Sequence, residues 1–486
     1  MTVDLVIRNG WVVGPQERFH GGVAIDGAKI VLVGPDAALP RARRVIDAEE
    51  HFVIPGLIDP HVHMTSEEDP SIAEGLEANL PVQTRGMAHG GVTSFGHFAG
   101  GSHEPLGEQL RTTIGCFDRW SLVDGFLHAF VMRRASLAAL PEAWALGVTS
   151  FKHFFTAYGR RGLEDEGLGS IFSPVDSDVL LESMTWIAAQ GSPGLAMAHA
   201  EDGDMVELSS RRLAEAGRRD LAAWSAARPA IAEATRVRQA IALSDFTGCP
   251  LYVVHVTTAT AAEEIARARA RGTRVTGETG PHWLTHHAGM EEEIGCWGKV
   301  NPPLRTPADG DALWGGLAAG SMSCLGTDDG TGGRTRETKE KGGGKHGNIW
   351  AARPGVRGGS EHLLPVMMTY GVHRGRLTME QLVAAGSANT ARAFGLFPRK
   401  GLLAPGADAD VVIVDPEREA DVDARFYRGL CEVSVYEGER LRGMARTTLV
   451  RGRVIVDNYE TAAEAGTGRY VGRGPAARRP RNEVTA

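Results

Sequence analysis

The sequence predicts an α/β protein, a (β/α)8 TIM barrel carrying a small β-sandwich domain formed from the N- and C-terminal segments. Three observations lead there. Apolar stretches of strand length alternate with amphipathic segments of helix length, the pattern of a parallel sheet with crossover helices. Strand-rich patterns with tight-turn signals occupy both ends of the chain. Polar residues able to carry chemistry recur where the apolar stretches stop, on what would be the C-terminal face of a barrel, where such folds carry their sites.

From the N-terminus, residues 4–34 read as short strands, DLVIRNGWVV and then GGVAIDGAKIVLVG, where Asp26-Gly27 supplies the positive backbone angles of a tight hairpin. Barrel-strand candidates follow in order: VIPGLIDPHVH, VTSFGHF, FLHAFVM, VTSFKHFF, GLAMAHAED, PLYVVHVTT, RVTGETGPHW and MSCLGTDD. That number closes a barrel. Between them, PVDSDVLLESMTWIAAQG starts after Ser173-Pro174 and stops at Gly191, and TATAAEEIARARARG stops at Gly272, both with sound helix start and stop signals. Strands return in DADVVIVD (408–415) and TTLVRGRVIVDN (447–458), the latter turning at Arg451-Gly452. Because an isolated hairpin is only marginally stable, the two terminal strand sets are expected to pair. The expected organisation is 1–54 and 401–460 as the two parts of the sandwich, 55–400 as the barrel, and 461–486 as a basic tail, flexible or packed on a neighbouring subunit. The stretch 326–347, rich in glycine and basic residues, reads as a solvated loop after the last barrel strand or as a lid.

Composition bounds the function. The chain has 486 residues, 42% hydrophobic and 23% charged, enough for one large core and a satellite. A net charge of -8 argues against a general nucleic-acid or anionic-membrane binder, so the expected partner is a small molecule. Five scattered cysteines, Cys116, Cys249, Cys296, Cys324 and Cys431, form no C-x-x-C pair and, being odd in number, no disulfide framework. With no apolar run of spanning length and no signal pattern, the expectation is a cytoplasmic protein.

The chemistry sits in His61, His63, Lys152, His199, His255 and Asp328. Alternate residues of a strand face the same way, so His61 and His63 can present two imidazoles to one cation while Val62 turns away. His199 and His255 are single histidines at consecutive strand ends. Each alone would ordinarily be a hydrogen-bonded core residue; together they point to a site. Lys152 in SFKHFF places an ammonium in an apolar barrel wall, where an unpaired charge is disfavoured. One reading turns it outward. The other makes it a neutral amine that combines with CO2 to give a carbamate, N6-carboxylysine, whose oxygens bridge two cations, since burial lowers a lysine pKa. Two divalent ions, zinc by ligand preference, would then be held by His61, His63, Lys152 and Asp328 on one side and by Lys152, His199 and His255 on the other. Asp328 would both ligate and carry a proton between water and leaving group. Asp329 beside it reads as a residue of the supporting layer or of the surface.

These residues lie in motifs that resemble the amidohydrolase superfamily and, within it, the cyclic amidohydrolases: PGLIDPHVH, SFKHFF, MAHAEDGD, LYVVHVTTATAAEEI, NPPLRTP, LGTDD and GLLAPGADADVVIVD, in that family's order from about residue 4 to 458. HAEDGD followed by RPAIAEATRVRQAI looks like the hydantoinase and dihydropyrimidinase branch; allantoinase and dihydroorotase are also similar. The resemblance implies hydrolytic opening of a cyclic amide or ureide by a hydroxide bridging two metals, and a homo-oligomer, tetramer or dimer. It also implies an oxyanion-stabilising tyrosine, for which Tyr158 is the candidate although one position farther from the lysine than usual, and a substrate contact at Asn301, where the family often has serine. Asp328-Asp329 replaces the family's frequent Asp-His, and WAARPGVRGGSEH lacks its Pro-Asn-Gly, so ring recognition is expected to differ. Arg353, Arg357 and the basic stretch 334–345 are candidates to meet a substrate carboxylate or simply to solvate a loop. A linear amide or carbamate, or a cyclic imide, is the alternative substrate class. A deaminase would not need Lys152, and a non-catalytic collapsin-response mediator type would have lost ligands that are all present here.

Overall fold

In the computed structural model, residues 2–65, 69–100, 105–155, 175–330, 335–423 and 425–474 are described. The chain ends meet in one sheet. Strands β1 (Thr2–Val13), β2 (Arg18–Asp26), β3 (Lys29–Gly34), β4 (Arg41–Asp47) and β5 (Phe52–Pro55) come from the N-terminal segment. The join to the C-terminal strands is antiparallel, with Val411 opposite Pro55 and Val414 opposite Phe52. The hairpin between β2 and β3 turns at Gly27, φ 55°, and the later one turns at Arg451 and Gly452, φ 47° and 76°. These positive angles match the hand of a two-residue hairpin turn, and both turns lie where the sequence places them.

The second sheet is the barrel. Strands β6 (Leu57–His63), β7 (Val92–Ala99), β8 (Asp124–Val131), β9 (Ser150–Phe155), β10 (Leu195–Ala200), β11 (Leu251–Val253) and β12 (Val275–Thr279) pair in parallel, in chain order. The last position is split into β13 (Cys324–Leu325), which pairs with β12, and β14 (Asp329–Gly330), which pairs with β6. Those two pieces close the ring. Beyond it, β15 (Val411–Asp421), β16 (Arg440–Val450), β17 (Arg453–Asp457) and β18 (Glu460–Thr461) complete the first sheet.

Alternation decides what each barrel residue faces. On β8, Phe126 and Phe130 point inward and pack with Ile58, Phe98, Met197 and Tyr252, whereas Leu127, Ala129 and Val131 join the core under the helices. The same alternation on β9 turns His153 outward, where Nε2 meets Ser183 Oγ of the helix Ser177–Gln190 at 2.9 Å. Lys152 is thereby turned into the barrel.

The floor of the barrel is tied to the terminal sheet by buried charges. Lys400 Nζ lies 2.8 Å from Asp124, 2.5 Å from Asp410 and 3.4 Å from Asp408. Arg399 and Lys29 also reach Asp408, at 2.9 and 2.8 Å. The tail does not behave as a free or merely subunit-packing segment as far as Gly474. Arg469 and Val471 bond to the backbone of Gly125, and the Arg473 guanidinium is buried over Phe126 at 5.0 Å. The first residues of β8 pair with β7 but not with β9, and the tail takes up that free backbone beside Gly125 while the Arg473 stem packs along it. The stretch after the last barrel strand is likewise anchored where described: Lys339 is buried and donates to three backbone carbonyls, those of Lys299, Arg353 and Gly355.

Replacing Lys400 by methionine leaves three buried carboxylates without their shared cation. We expect a loss of about 3–5 kcal/mol in the unfolding free energy at neutral pH. The Asp408 carboxyl, which burial alone would raise, is held at about 2 by Lys400, Arg399 and Lys29. Its contribution is therefore complete above its ordinary value and is lost as pH falls toward 2. In Lys400→Met the clustered carboxylates take up protons at milder acidity, so the gap to wild type in denaturant titrations should narrow between pH 7.5 and 5. An equal gap at both values would assign the loss to packing.

Candidate metal centre

The strand ends of the barrel's C-terminal face bring most of the sequence-selected residues together. His61 and His63 leave β6, and both Nε2 atoms lie 3.1 Å from the same oxygen of Asp328. One donor atom each of His61, His255 and Asp328 falls within 4.8 Å of the others. The His199 ring is 4.4 Å from that of His255, and His61 is 5.3 Å from it, centroid to centroid. Lys152 rises from β9 under this group, with Nζ 4.9 Å from the Phe98 ring, which itself stacks 4.9 Å from His63. The outward reading of Lys152 is thus excluded.

Two of these residues carry backbone strain. His255 has φ 37° and Asp328 φ 52°, in the left-handed region that non-glycine residues enter at a cost of about 1–3 kcal/mol. Specific bonds hold both. The His255 N–H donates to Glu278 at 3.0 Å. The turn at Asp328 is fixed by Asp59, which accepts from Thr327 N at 3.1 Å, Thr327 Oγ1 at 2.5 Å and Ser360 Oγ at 2.7 Å. Asp329, fully buried, accepts from Gln83 Nε2 at 2.7 Å and from the backbone of Gly358 and Ser360 at 3.1 and 3.3 Å. A surface role for Asp329 is excluded; it joins the last strand to the segment that follows.

A layer of charged residues behind the histidines escapes sequence reading. Glu278 at the end of β12 accepts from His61 Nδ1 at 2.7 Å and from Tyr252 OH at 2.9 Å. Glu201 lies 2.7 Å from His199 Nε2 and is paired with Arg228 at 2.7 Å. Arg305 joins Glu233 at 3.1 Å, and Glu233 in turn accepts from Thr257 N, two residues past His255. The available signal was a carboxylate inside an apolar strand, as in VTGETG, and the charged residues of HAED, RPAIAE and NPPLRTP, which fall on elements far apart in the chain. Asn301 is buried one layer out: Pro302 O accepts from Trp283 Nε1 at 3.0 Å, and Trp283 stands 5.9 Å from His255. Tyr158 lies outside the described residues.

The electrostatics favour positive charge at the strand ends. Burial would lower the His61 pKa, but Glu278 and Asp328 outweigh it and raise it to about 9. Asp328, which burial would raise, is held well below its usual range by His61 and His63. Lys152 is pushed down to about 8, chiefly by burial, against the pull of Asp328 and Glu278. Among the described residues no carboxylate stands within ion-pair distance of its amine, and His255 Nδ1 is buried without a hydrogen-bond partner. A set of imidazoles, a carboxylate and a buried amine whose pKa is lowered by burial, backed by carboxylates behind His61 and His199, fits divalent cations. Phe98, Phe130 and Phe154 form a stacked aromatic wall beside it, with centroids 5.3 and 5.5 Å apart.

Residues 232–455 match the model of the Amidohydrolase family. Over 473 residues the chain is 30% identical to an L-hydantoinase of Paenarthrobacter aurescens, covering 97% of this chain and 98% of that one. An allantoinase of Rubrobacter xylanophilus is 33% identical over 476 residues, 96% of this chain and 97% of the other. Among solved structures, an L-hydantoinase (dihydropyrimidinase) from Arthrobacter aurescens superposes with a TM-score of 0.88 at 28% identity, covering 97% of this chain and all of that one. With similarity to hydantoinases and an allantoinase over nearly the whole length of both chains, and a matching hydantoinase fold, the chain belongs to the amidohydrolase family, in its cyclic amidohydrolase branch.

Proposed function

We propose that this protein is a metal-dependent hydrolase that opens a cyclic amide or ureide ring of the hydantoin, dihydropyrimidine or allantoin type. The observation that carries it is the meeting of His61, His255 and Asp328 within 4.8 Å beside a buried lysine amine. In this reading His61, His63, Lys152 and Asp328 hold one divalent ion and Lys152, His199 and His255 the other, zinc by donor preference. Lys152 serves as a carbamate: its amine, lowered to about 8 by burial, is neutral often enough near pH 7 to add CO2 and release a proton. When bound, the ions supply Lewis acidity toward a carbonyl and lower the pKa of water to about 7.

The chain's own residues then divide the work. Asp328 takes the proton of the attacking water and returns it to the ring nitrogen as the C–N bond breaks and the new C–O bond forms. One water is consumed, and the product carries a new carboxylate. Glu278 and Glu201 hold the rings of His61 and His199 in one orientation. Tyr158 is assigned as donor to the developing oxyanion and Asn301 as a ring contact. A homo-oligomer, tetramer or dimer, and a cytoplasmic location belong to the same proposal. No helix among the described residues is long and apolar enough to cross a membrane.

The test is hydrolysis by the metal-loaded protein of a panel of hydantoins, dihydrouracil, allantoin, dihydroorotate and cyclic imides beside linear amides and carbamates. Opening of a ring ureide that stops on chelation is the expected result; turnover of linear compounds alone would overturn it. Lys152→Ala should lose both metals and activity, and full metal content in that variant would remove the carbamate. Asp328→Asn should lower kcat at least about 100-fold, the range for a positioned proton carrier; a rate near wild type would reassign the proton. Glu278→Gln sets an amide donor among three buried donors, so it should weaken metal retention about 10- to 100-fold in chelator competition and also lower the melting temperature. Unchanged retention would show that His61 needs no such partner.

A further inference from the structure

Arg357 lies in the segment after the last barrel strand, between two glycines in left-handed backbone, Gly355 at φ 112° and Gly358 at φ 70°. Its side chain folds back over that segment: a Cβ added to Gly355 would stand 2.4 Å from Nη1. The same Nη1 is 3.5 Å from the position a Cβ on Gly330 would take, and that position is 3.5 Å from Cβ of His63. The guanidinium is therefore packed against β14 next to His63. It is only 6% exposed.

Its bonding is incomplete. Nη1 donates to Val356 O at 3.1 Å and Nη2 to Pro354 O at 3.4 Å, while Nε is buried without a partner. Among the described residues no carboxylate lies within ion-pair distance of it. The nearest charge of opposite sign, Asp329, has its oxygens engaged by Gln83, Gly358 and Ser360. On its other side stands Lys339, whose amine burial and the neighbouring cations Arg357 and Lys299 push well below the ordinary range. Asp329 and Asp328 pull on the guanidinium through space without bonding it. A buried, unpaired cation is costly unless something supplies its partner, and a guanidinium offers the planar fork that suits a carboxylate.

We propose that Arg357 is a specificity-determining residue whose guanidinium receives a carboxylate carried by the substrate, so that the preferred substrates are ring amides or ureides with an acidic substituent. This rests on the ring-opening reading above. The competing role is balance of Asp329 alone, which would make the residue structural and indifferent to what the ring carries.

A matched pair separates them: hydantoin bearing a 5-carboxymethyl group and its uncharged 5-carbamoylmethyl isostere. Wild type should favour the acid by about tenfold or more in kcat/KM, the range for a charged hydrogen bond. Arg357→Met should lose about 10- to 100-fold on the acid, mainly through KM, and stay within about threefold on the amide. Arg357→Lys should recover part of the preference. No preference in wild type, or an equal loss on both rings, overturns the proposal. Calorimetric binding of the same two compounds is measured alongside. If neither ring opens, the ring-opening reading fails, and Arg357 is judged on binding: acid binding lost only in Arg357→Met sustains it, and equal binding in both proteins overturns it. A melting temperature lowered equally in the methionine and lysine variants, with both ligands equally weakened, assigns the residue to Asp329.

Discussion

Glu278 ends β12 with no access to solvent, and both of its oxygens are taken. One accepts from His61 Nδ1 and from the backbone of His255; the other accepts from Tyr252 OH. That carboxylate links three strands at the level where they stop. It aims His61 Nε2 at Asp328 and holds His255 in a backbone conformation that its own sterics disfavour. Take it away and the His61 ring is free to turn, the His255 strain is uncompensated, and a buried phenol loses its partner. A carboxylate so deep is tolerated because its neighbours are donors and because the centre it supports is positive.

The same logic repeats around the ring. Glu201 orients His199 and is neutralised by Arg228; Glu233 collects Thr257 beyond His255 and is neutralised by Arg305. His61 and His199 thus each stand on a carboxylate, and Glu201 and Glu233 each on an arginine. Arg228 comes from the end of the helix Leu221–Ala227, two residues before the helix Ala230–Thr247, and Arg305 from the segment before the helix Pro307–Ala319. Residues that look like scaffold in the sequence are what give the imidazoles a fixed direction, and a fixed direction is what a metal site requires.

Chemistry and recognition are built from different parts of the fold. The strand ends provide rigid groups whose spacing follows from barrel geometry. The segments after them carry Asn301, Lys339 and Arg357, all buried, and in the proposed reading Asn301 and Arg357 meet the substrate. Loops can change without disturbing the barrel core, so in the proposed reading reaction type and substrate preference are set by separate parts of the chain. Asp329 marks the boundary, since it binds β14 to the very segment that presents Arg357.

The barrel and the terminal sheet are legible in the sequence because period-two patterning and glycine turns are local: Asp26-Gly27 and Arg451-Gly452 turn where their residue types dictate. The position of His61, His63, His199, His255 and Asp328 at strand ends follows from the same patterns, and Lys152 is conspicuous because an ammonium in an apolar strand demands a reason. Partners are a different matter. That Glu278 stands under His61, 217 residues away, or that Lys400 closes on Asp124, 276 residues away, depends on which strands become neighbours when the ring closes. The burial of Lys339 and Arg473, read from sequence as basic loop and tail, depends on surfaces that exist only after the barrel forms. Local propensity fixes elements and the end of each where a side chain emerges. The low dielectric of the assembled interior then decides which charges must pair, and that choice is made in three dimensions alone.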